Sequence, residues 1–384
     1  MIRMGSFVIG TLFTLTIILS LLGVIMVLSA SQFLFILGSM DNIYSNNVYQ
    51  LMGKQLMWIS LGLASLGFFY AFDFNIWEQY ARWILLGAIV LLALVLTPLG
   101  ILRNGSQRWL PLGPFLCQPS EFTKIAIILY LSAYWAGRPD RLEKLTAIFF
   151  PMILIGLVLG LVLLEPDHKT TFFLGTIALT IWFIAGGRLI HLTPGFIVVC
   201  VGVLVALYHK PHLWERILAW LYPDQYPGKA YHFLRARDGF AHGGYWGVGL
   251  GAGKGQLGFT PEAHTDFIFS IMGEELGFVI CTAVILTFLG ITLLGFWIAM
   301  RSSNPFGKLV AGGCTATLGV QAVLNLAVVT GTIPTTGIAL PFLSYGGSSL
   351  LVCMAMVGLL MNIAKSSFDA DQRSILPRKH LKAW

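Results

Sequence analysis

Charged side chains are scarce in this sequence: Lys, Arg, Asp and Glu make up 11% of its 384 residues, where soluble domains carry roughly a quarter. That scarcity excludes an ordinary soluble enzyme. No polar block interrupts the apolar runs that recur from residue 7 to residue 363, so a separate soluble domain has nowhere to sit. Cysteine is sparse too. Cys117, Cys200, Cys281, Cys314 and Cys353 are too dispersed for a zinc-ligand spacing or a disulfide framework, and only Cys117 falls in a loop. The net charge of +7 does not make a nucleic-acid binder, because Lys and Arg are scattered over loops and form no basic face. They are assigned to membrane topology and to an anionic substrate.

What is present is hydrophobicity, with 57% apolar residues and a mean hydropathy of +0.79. Crossing about 30 Å of hydrocarbon takes roughly 20 apolar residues as a helix, since lipid offers no partner to unpaired backbone groups. Runs of that kind occur at 7–30, 56–72, 83–102, 122–136, 145–164, 171–185, 192–208, 276–300, 309–329 and 348–363. The first lacks a small-residue cleavage site and is long enough to span, which makes it a retained helix and not a signal peptide. The fold class expected is an all-α integral membrane protein of about ten transmembrane helices. Residues 1–364 form its membrane domain and 365–384 a basic cytoplasmic tail.

Orientation follows from the Lys and Arg balance of the short loops. With the N-terminus inside, Arg3, Arg82, Arg138, Arg141, Lys144, Arg188, Arg301, Lys308 and the basic tail all fall on the cytoplasmic side. The short outer loops then hold only Lys54, Arg103, Arg108 and Lys169. One long outer loop, 209–266, separates spans 7 and 8. A loop of that length without secondary structure of its own is usually functional. Within it, Leu213, Trp214, Ile217, Leu218, Trp220 and Leu221 fall on helical spacing opposite Glu215 and Arg216, which fits a helix lying on the lipid surface.

Three motifs carry chemistry. Pro261-Glu262-Ala263-His264-Thr265-Asp266 precedes Phe267-Ile268-Phe269 and Gly273-Glu274-Glu275-Leu276-Gly277. Asp266 is positioned either to cap the following helix or to act as a general base at the outer mouth of a cavity, or both. Gln118-Pro119-Ser120-Glu121-Phe122-Thr123-Lys124 opens the fourth span, and Glu121 and Lys124, three apart, share a helix face and can pair. Charges at that depth are costly and tend to face a polar cavity. Leu340-Pro341-Phe342-Leu343-Ser344-Tyr345-Gly346-Gly347-Ser348-Ser349 follows Gly331 and Pro334-Thr335-Thr336-Gly337. Its Pro and Gly residues forbid a continuous helix, and its apolar residues forbid a plain loop, so a re-entrant or broken-helix turn is expected. The glycine run from Gly243 to Gly255 is not a phosphate loop: Val248 stands where that motif needs Gly and Gly255 where it needs Ser or Thr. A compact outer loop whose amides approach a ligand is expected instead. His209, His212 and Glu215 alone make a poor metal set.

These residues resemble the FtsW/RodA/SpoVE (SEDS) family. Leu340 to Ser349 is similar to its C-terminal signature, Pro261 to Gly277 to its outer-loop signature, and Gln118 to Lys124 to its fourth-span motif. Ser29-Ala30-Ser31, Arg108-Trp109, Glu165-Pro166-Asp167, and Gln321 with Asn325 are smaller echoes, so the likeness runs from the first span to the last. It implies a peptidoglycan glycosyltransferase of the bacterial plasma membrane that polymerises lipid II into β-1,4 glycan strands on the outer face. Its implied partners are a class B penicillin-binding transpeptidase and other divisome membrane proteins. The stretches 331–337 and 29–31 are closer to the FtsW division type, which implies septal cell-wall synthesis. By the same resemblance Asp266 is the catalytic carboxylate, Glu121 and Lys124 a functional cavity pair, and Arg108, Asp167, Glu262, His264, Ser344 and Tyr345 supporting positions.

The sequence departs from that pattern where Lys169 replaces a usual Gly after Glu165-Pro166-Asp167. It departs again at Arg235-Ala236, where Gln-Ser is usual, and at Gly255-Gln256, where Gln-Lys is usual, with Lys254 close by. Forming a β-1,4 bond from an α-linked lipid diphosphate inverts the sugar carbon, so one base and one anion clamp suffice. Asp266 is expected to take the acceptor proton, while Lys124, Arg108, Lys254 or a divalent cation stabilises the departing diphosphate. A lipid II flippase and a non-catalytic division scaffold are the competing readings. The outer placement of Asp266, without matching cytoplasmic acids, favours surface catalysis over transport.

Overall fold

A computed structural model of the chain describes residues 2–38, 48–103, 106–113, 115–138, 142, 145–188, 211–253 and 265–375. The expected span at 192–208, together with Lys254, Glu262 and His264, lies outside the described residues.

Helices dominate: α1 (Ile2–Gly38), α2 (Val48–Ala71), α3 (Phe74–Val95), α4 (Pro119–Trp135), α5 (Leu145–Leu164), α6 (His168–Ile184), α7 (Pro211–Leu221), α8 (Pro227–Gly243), α9 (Ile268–Arg301), α10 (Pro305–Val329) and α11 (Gly347–Ile375). Each expected span within the described residues coincides with one of them. By length and composition α1, α3, α9, α10 and α11 are able to cross a bilayer alone. The outward faces of α1, α5, α6 and α9 carry large apolar side chains, among them Phe7, Phe149, Phe172, Phe183 and Leu293, all exposed. In water such surface is an aggregation liability, but hydrocarbon solvates it without cost.

At the centre runs α11, where Val352, Met354, Met356, Val357, Leu359, Leu360 and Ile363 keep no exposed surface. It lies along α2 and also meets α1, α3, α4, α9 and α10. Close approach depends on Gly358, where a Cβ would stand 2.5 Å from the Leu66 carbonyl oxygen and 3.1 Å from its Cα. Small residues at such contacts are how helices associate when lipid removes the hydrophobic drive. In the C-terminal half of α11 Asn362 donates to the Tyr70 and Phe72 carbonyls, both at 2.7 Å, and accepts from the Phe74 amide. One side chain therefore closes the turn between α2 and α3.

Four local features differ from the sequence expectation. The third span starts nine residues early, at Phe74, because Asp73 accepts from the Asn75 amide and caps it. It ends at Val95, ahead of Pro98, and the apolar residues up to Leu102 join a small antiparallel sheet: β1 (Ile101–Arg103), β2 (Ser106–Leu112) and β3 (Phe115–Cys117), in that order. The last helix continues to Ile375, so the basic tail begins as helix. The connection 209–266 is not without secondary structure, since α7 and α8 both lie within it. On α7 the lipid-surface expectation fits Trp214 and Leu221, which are exposed, while Trp220 turns inward and donates to the Gly331 carbonyl at 2.7 Å.

The glycine run has a structural role of its own. α9 is broken at Gly277, whose φ of 77° and ψ of −178° lie outside the reach of L side chains. The break removes the helical bonds from Phe278 and Val279 back to Glu274 and Glu275. Residues 244–249 replace all four missing partners: Val248 and Gly249 amides donate to the Glu274 and Glu275 carbonyls at 3.0 Å each, and the Gly244 and Tyr245 carbonyls accept from Phe278 (2.9 Å) and Val279 (3.2 Å). The Val248 and Gly249 amides thus serve the helix break. Irregular backbone at membrane depth persists only with such satisfaction.

Candidate functional site

The site begins on α4. Pro119 at the first helical position fixes the entry, and Glu121 and Lys124 follow on one face. Both are buried, and the Lys124 ammonium donates to Glu121 Oε2 at 2.7 Å. It donates also to Gln321 Oε1 at 3.2 Å and lies 5.0 Å from the Phe173 ring centroid. A buried pair compensates the desolvation of two ions only with good geometry and further hydrogen bonds, and here both are supplied.

Gln321 belongs to α10, and Asn325 stands one turn further on the same face. Their amide groups bracket the segment between α10 and α11: Gln321 Nε2 donates to the Ala339 carbonyl at 2.9 Å, and Asn325 Nδ2 to the Ile338 carbonyl at 2.7 Å. The segment is non-helical from Pro334 to Gly346 and buried at Ile338, Leu340, Phe342 and Leu343, as expected for a re-entrant turn. Its sharpest point is Phe342. A φ of 65° and the Leu343 amide donating to the Pro341 carbonyl at 2.8 Å form a γ-turn of the strained, positive-φ kind. Ser344 fixes the same turn by accepting from the Leu340 amide at 2.8 Å, and Tyr345 packs half-buried against the core.

Asn325 Nδ2 makes a second bond, to the Asp266 carbonyl at 2.8 Å. This holds the Asp266 main chain against the re-entrant segment, in the turn that precedes α9. The cap reading of Asp266 is not what the structure has: the cap position of α9 is Phe267, which offers no side-chain acceptor. The Asp266 carboxylate is partly exposed and faces Gly337, where a Cβ would stand 2.8 Å from Oδ2. That same point is 3.0 Å from Lys169 Nζ, which donates to the Gly337 carbonyl. Gly337 takes a φ of 73°, so both the backbone and the two side chains require glycine there.

Lys169 reaches this point from the first turn of α6. Asp167 caps that helix, its Oδ1 accepting from the Thr170 amide at 3.2 Å. Arg108, on β2, spans to the turn before α6: its Nε donates to the Glu165 carbonyl at 3.2 Å and stands 3.7 Å from Asp167 Oδ2, while Nη2 donates to the Pro166 carbonyl. The guanidinium therefore fastens sheet to turn, with part of it still exposed. Glu165, in that turn, is fully buried and neither carboxyl oxygen has a hydrogen-bond partner among the described residues. Burial pushes its carboxyl up to about 8, with Asp167 adding to the rise and Arg108 opposing it.

Asp266, Lys169, Gly337, Asn325, Gln321, Lys124 and Glu121 thus form one connected set built from α4, α6, α10, the re-entrant segment and the turn before α9. Arg108 and Asp167 join it through α6. The sequence reading named Gln321 and Asn325 as echoes without assigning them work, and met Lys169 only as a loop cation and as a departure from the family pattern. Their spacing of four along α10 is the signal that one face carries two amides. Among the described residues, no three His, Cys, Asp or Glu side chains stand together as a metal site.

A profile of the FtsW/RodA/SpoVE family, described as cell cycle proteins, matches residues 10–368. A probable peptidoglycan glycosyltransferase FtsW of Trichlorobacter lovleyi is 38% identical over 92% of each chain. Stage V sporulation protein E of Bacillus subtilis is 33% identical over 92% of this chain and 96% of its own. Among solved structures, a chain from a peptidoglycan synthase complex described as coordinating polymerization and crosslinking superimposes with a TM-score of 0.76 at 28% identity, over 93% of this chain and 97% of its own.

Proposed function

The chain belongs to the FtsW/RodA/SpoVE cell cycle protein family, and from that premise we propose that it polymerises lipid II into β-1,4 glycan strands with Asp266 as the general base. It is a peptidoglycan glycosyltransferase embedded in the membrane by several long apolar helices. The observation that carries the proposed chemistry is the placement of the Asp266 carboxylate. Its main chain is held by Asn325, its oxygen faces the one residue without a side chain, Gly337, and a lysine ammonium stands beside it.

In the reaction, the acceptor's 4-hydroxyl attacks the donor's anomeric carbon on the side opposite the diphosphate. The new O–C bond forms as the C–O bond to diphosphate breaks. The hydroxyl proton passes to Asp266, and the departing diphosphate carries away the negative charge, which fixed cations stabilise more in the transition state than in the bound donor. The bond energy of the diphosphate drives the step, so no nucleotide is required.

A crosslinking partner of the class B penicillin-binding transpeptidase type suits the family's synthase assemblies, and septal use suits its likeness to FtsW and stage V sporulation relatives. The +7 charge distribution supports cytoplasmic termini and an outer-facing 209–266 segment. The test is polymerisation by the purified chain with its transpeptidase partner and lipid II in detergent or nanodiscs. Glycan strands on a gel are the expected product. Transbilayer movement of lipid II without any polymer would overturn the reading in favour of a transporter.

A further inference from the structure

Lys169 sits where local rules disfavour a cation. It occupies the first turn of α6, and the positive end of a helix dipole repels an ammonium there. Asp167, two residues before, faces the Thr170 amide and Arg108 instead. Among the described residues Lys169 forms no ion pair, and its single hydrogen bond is to the Gly337 carbonyl. An ammonium has three N–H donors, so the half-buried group has capacity left over. A half-buried cation at the positive end of a helix dipole, near the Asp266 carboxylate but in no contact ion pair among the described residues, has donors left for an anion that arrives from outside the chain.

The position beside Asp266 decides which anion. Lys169 Nζ and Asp266 Oδ2 both lie within 3.0 Å of the same point above Gly337, which puts them no more than about 6 Å apart. In an inverting displacement, base and leaving group flank the reacting carbon, and in inverting glycoside hydrolases the two carboxyl groups that do this stand roughly 6.5–9.5 Å apart. A lysine with four methylenes covers the difference by rotation about its own stem.

We propose that Lys169 is a donor-binding residue of this chain, its ammonium leaving or sharing the Gly337 carbonyl to hold the diphosphate of the lipid-linked donor opposite Asp266. This rests on the glycosyltransferase reading above. The cation stabilises the leaving oxygens as the glycosidic C–O bond breaks. When it returns to Gly337 after product release, it re-fastens the re-entrant segment.

The experiment measures binding of undecaprenyl diphosphate, with undecaprenyl alcohol as the uncharged control, to the full chain in nanodiscs, alongside lipid II polymerisation with the partner. Lys169→Gln keeps a donor for the Gly337 carbonyl but removes the charge, whereas Lys169→Arg keeps the charge. Losing one charge-assisted contact costs roughly ten- to a hundred-fold in affinity. Lys169→Gln is expected to bind undecaprenyl diphosphate that much more weakly and to raise KM for lipid II. Lys169→Arg should stay within about threefold of the parent, and alcohol binding should be equal in all three. Unfolding temperatures accompany each variant, and if Lys169→Gln unfolds, failure of Lys169→Arg to retain diphosphate binding overturns the proposal by itself. Equal diphosphate affinity in Lys169→Gln and parent also overturns it, leaving Lys169 a fastener of the segment. A parent that binds undecaprenyl diphosphate but makes no polymer leaves this site standing while the glycosyltransferase reading falls.

Discussion

Asn325 holds Asp266 by its main chain, not by its carboxylate: one amide nitrogen donates to the Asp266 carbonyl at 2.8 Å and to the Ile338 carbonyl at 2.7 Å. The bond ties the Asp266 backbone to the re-entrant segment and takes none of the carboxylate's lone pairs.

Replacing Asn325 by Ala leaves both carbonyls without that donor, at about 1–3 kcal/mol for each one that stays buried and unpaired. Misplacement of a catalytic group by about 1 Å can cost on the order of a hundredfold in rate. Asn325→Ala is therefore expected to lower kcat for polymerisation by about that factor with little change in KM. A KM effect alone in steady-state assays would assign Asn325 to donor binding instead.

Glu121 and Lys124 separate stability from chemistry. Removing one partner of a buried pair strands the other charge and typically costs 3–5 kcal/mol, whereas replacing both by apolar residues is often neutral. Lys124→Ala should cut polymerisation severely in protein that still inserts, and should melt well below the parent. The double variant Glu121→Gln with Lys124→Met should regain much of the melting temperature without regaining activity. Recovery of both would reduce the pair to a structural device, worth no more than its geometry at the mouth of α4.

Much of this arrangement was legible in the sequence, and the parts that were not have a common cause. Apolar runs mark the spans because the bilayer sets their length, and Pro341 with Gly346 mark the re-entrant turn because α11 begins only after them. Start points fail where polar caps lie inside an apolar flank, as Asp73 does. The sheet at 101–117 was hidden because Leu99, Ile101 and Leu102 prolong the apolar run of α3. α8 was hidden for the opposite reason, having no apolar stripe to count in Lys229, His232, Arg235, Arg237 and Asp238. Lys169 meets Gly337 across 168 residues, and no local pattern reports a contact of that range.

The buried carboxyl of Glu165 sets a pH dependence of stability. Its folded value of about 8 lies above its ordinary 4.5, so between those values the folded chain holds a proton that the unfolded chain has released. Stability from this group is full below about pH 4.5 and is lost as pH rises through about 8. Melting temperature should therefore fall from pH 5 to pH 8.5 in detergent, and Glu165→Gln, which cannot ionise, should flatten the slope and melt above the parent at pH 8.5. An identical slope in the variant would mean that another group titrates.

Orientation is checked from outside intact cells. A single cysteine in place of Gly228, at the start of α8, should react with an impermeant maleimide, and one in place of Lys382 should not. The reverse pattern would invert the chain in the membrane and place Asp266 on the cytoplasmic face, away from any outer-leaflet acceptor.

The decisive variant is Asp266→Asn. Because Phe267 and not Asp266 occupies the cap of α9, and because Asn325 grips the carbonyl common to both residues, the substitution leaves the helix cap position and the Asn325 tether in place. Asn also has nearly the size of Asp, so Gly337 and Lys169 keep their neighbour. What disappears is the capacity to take the acceptor's proton, and loss of a positioned general base typically costs 10²–10⁴-fold in rate. The expected protein melts with the parent, binds undecaprenyl diphosphate through Lys169 as tightly or more tightly, since a competing negative charge is gone, and makes no glycan strand in the lipid II assay. A variant that still polymerises within about a factor of three of the parent is incompatible with Asp266 as base. The proton would then have to pass to another group on the same approach to α9, with Glu262 and His264 the first to replace.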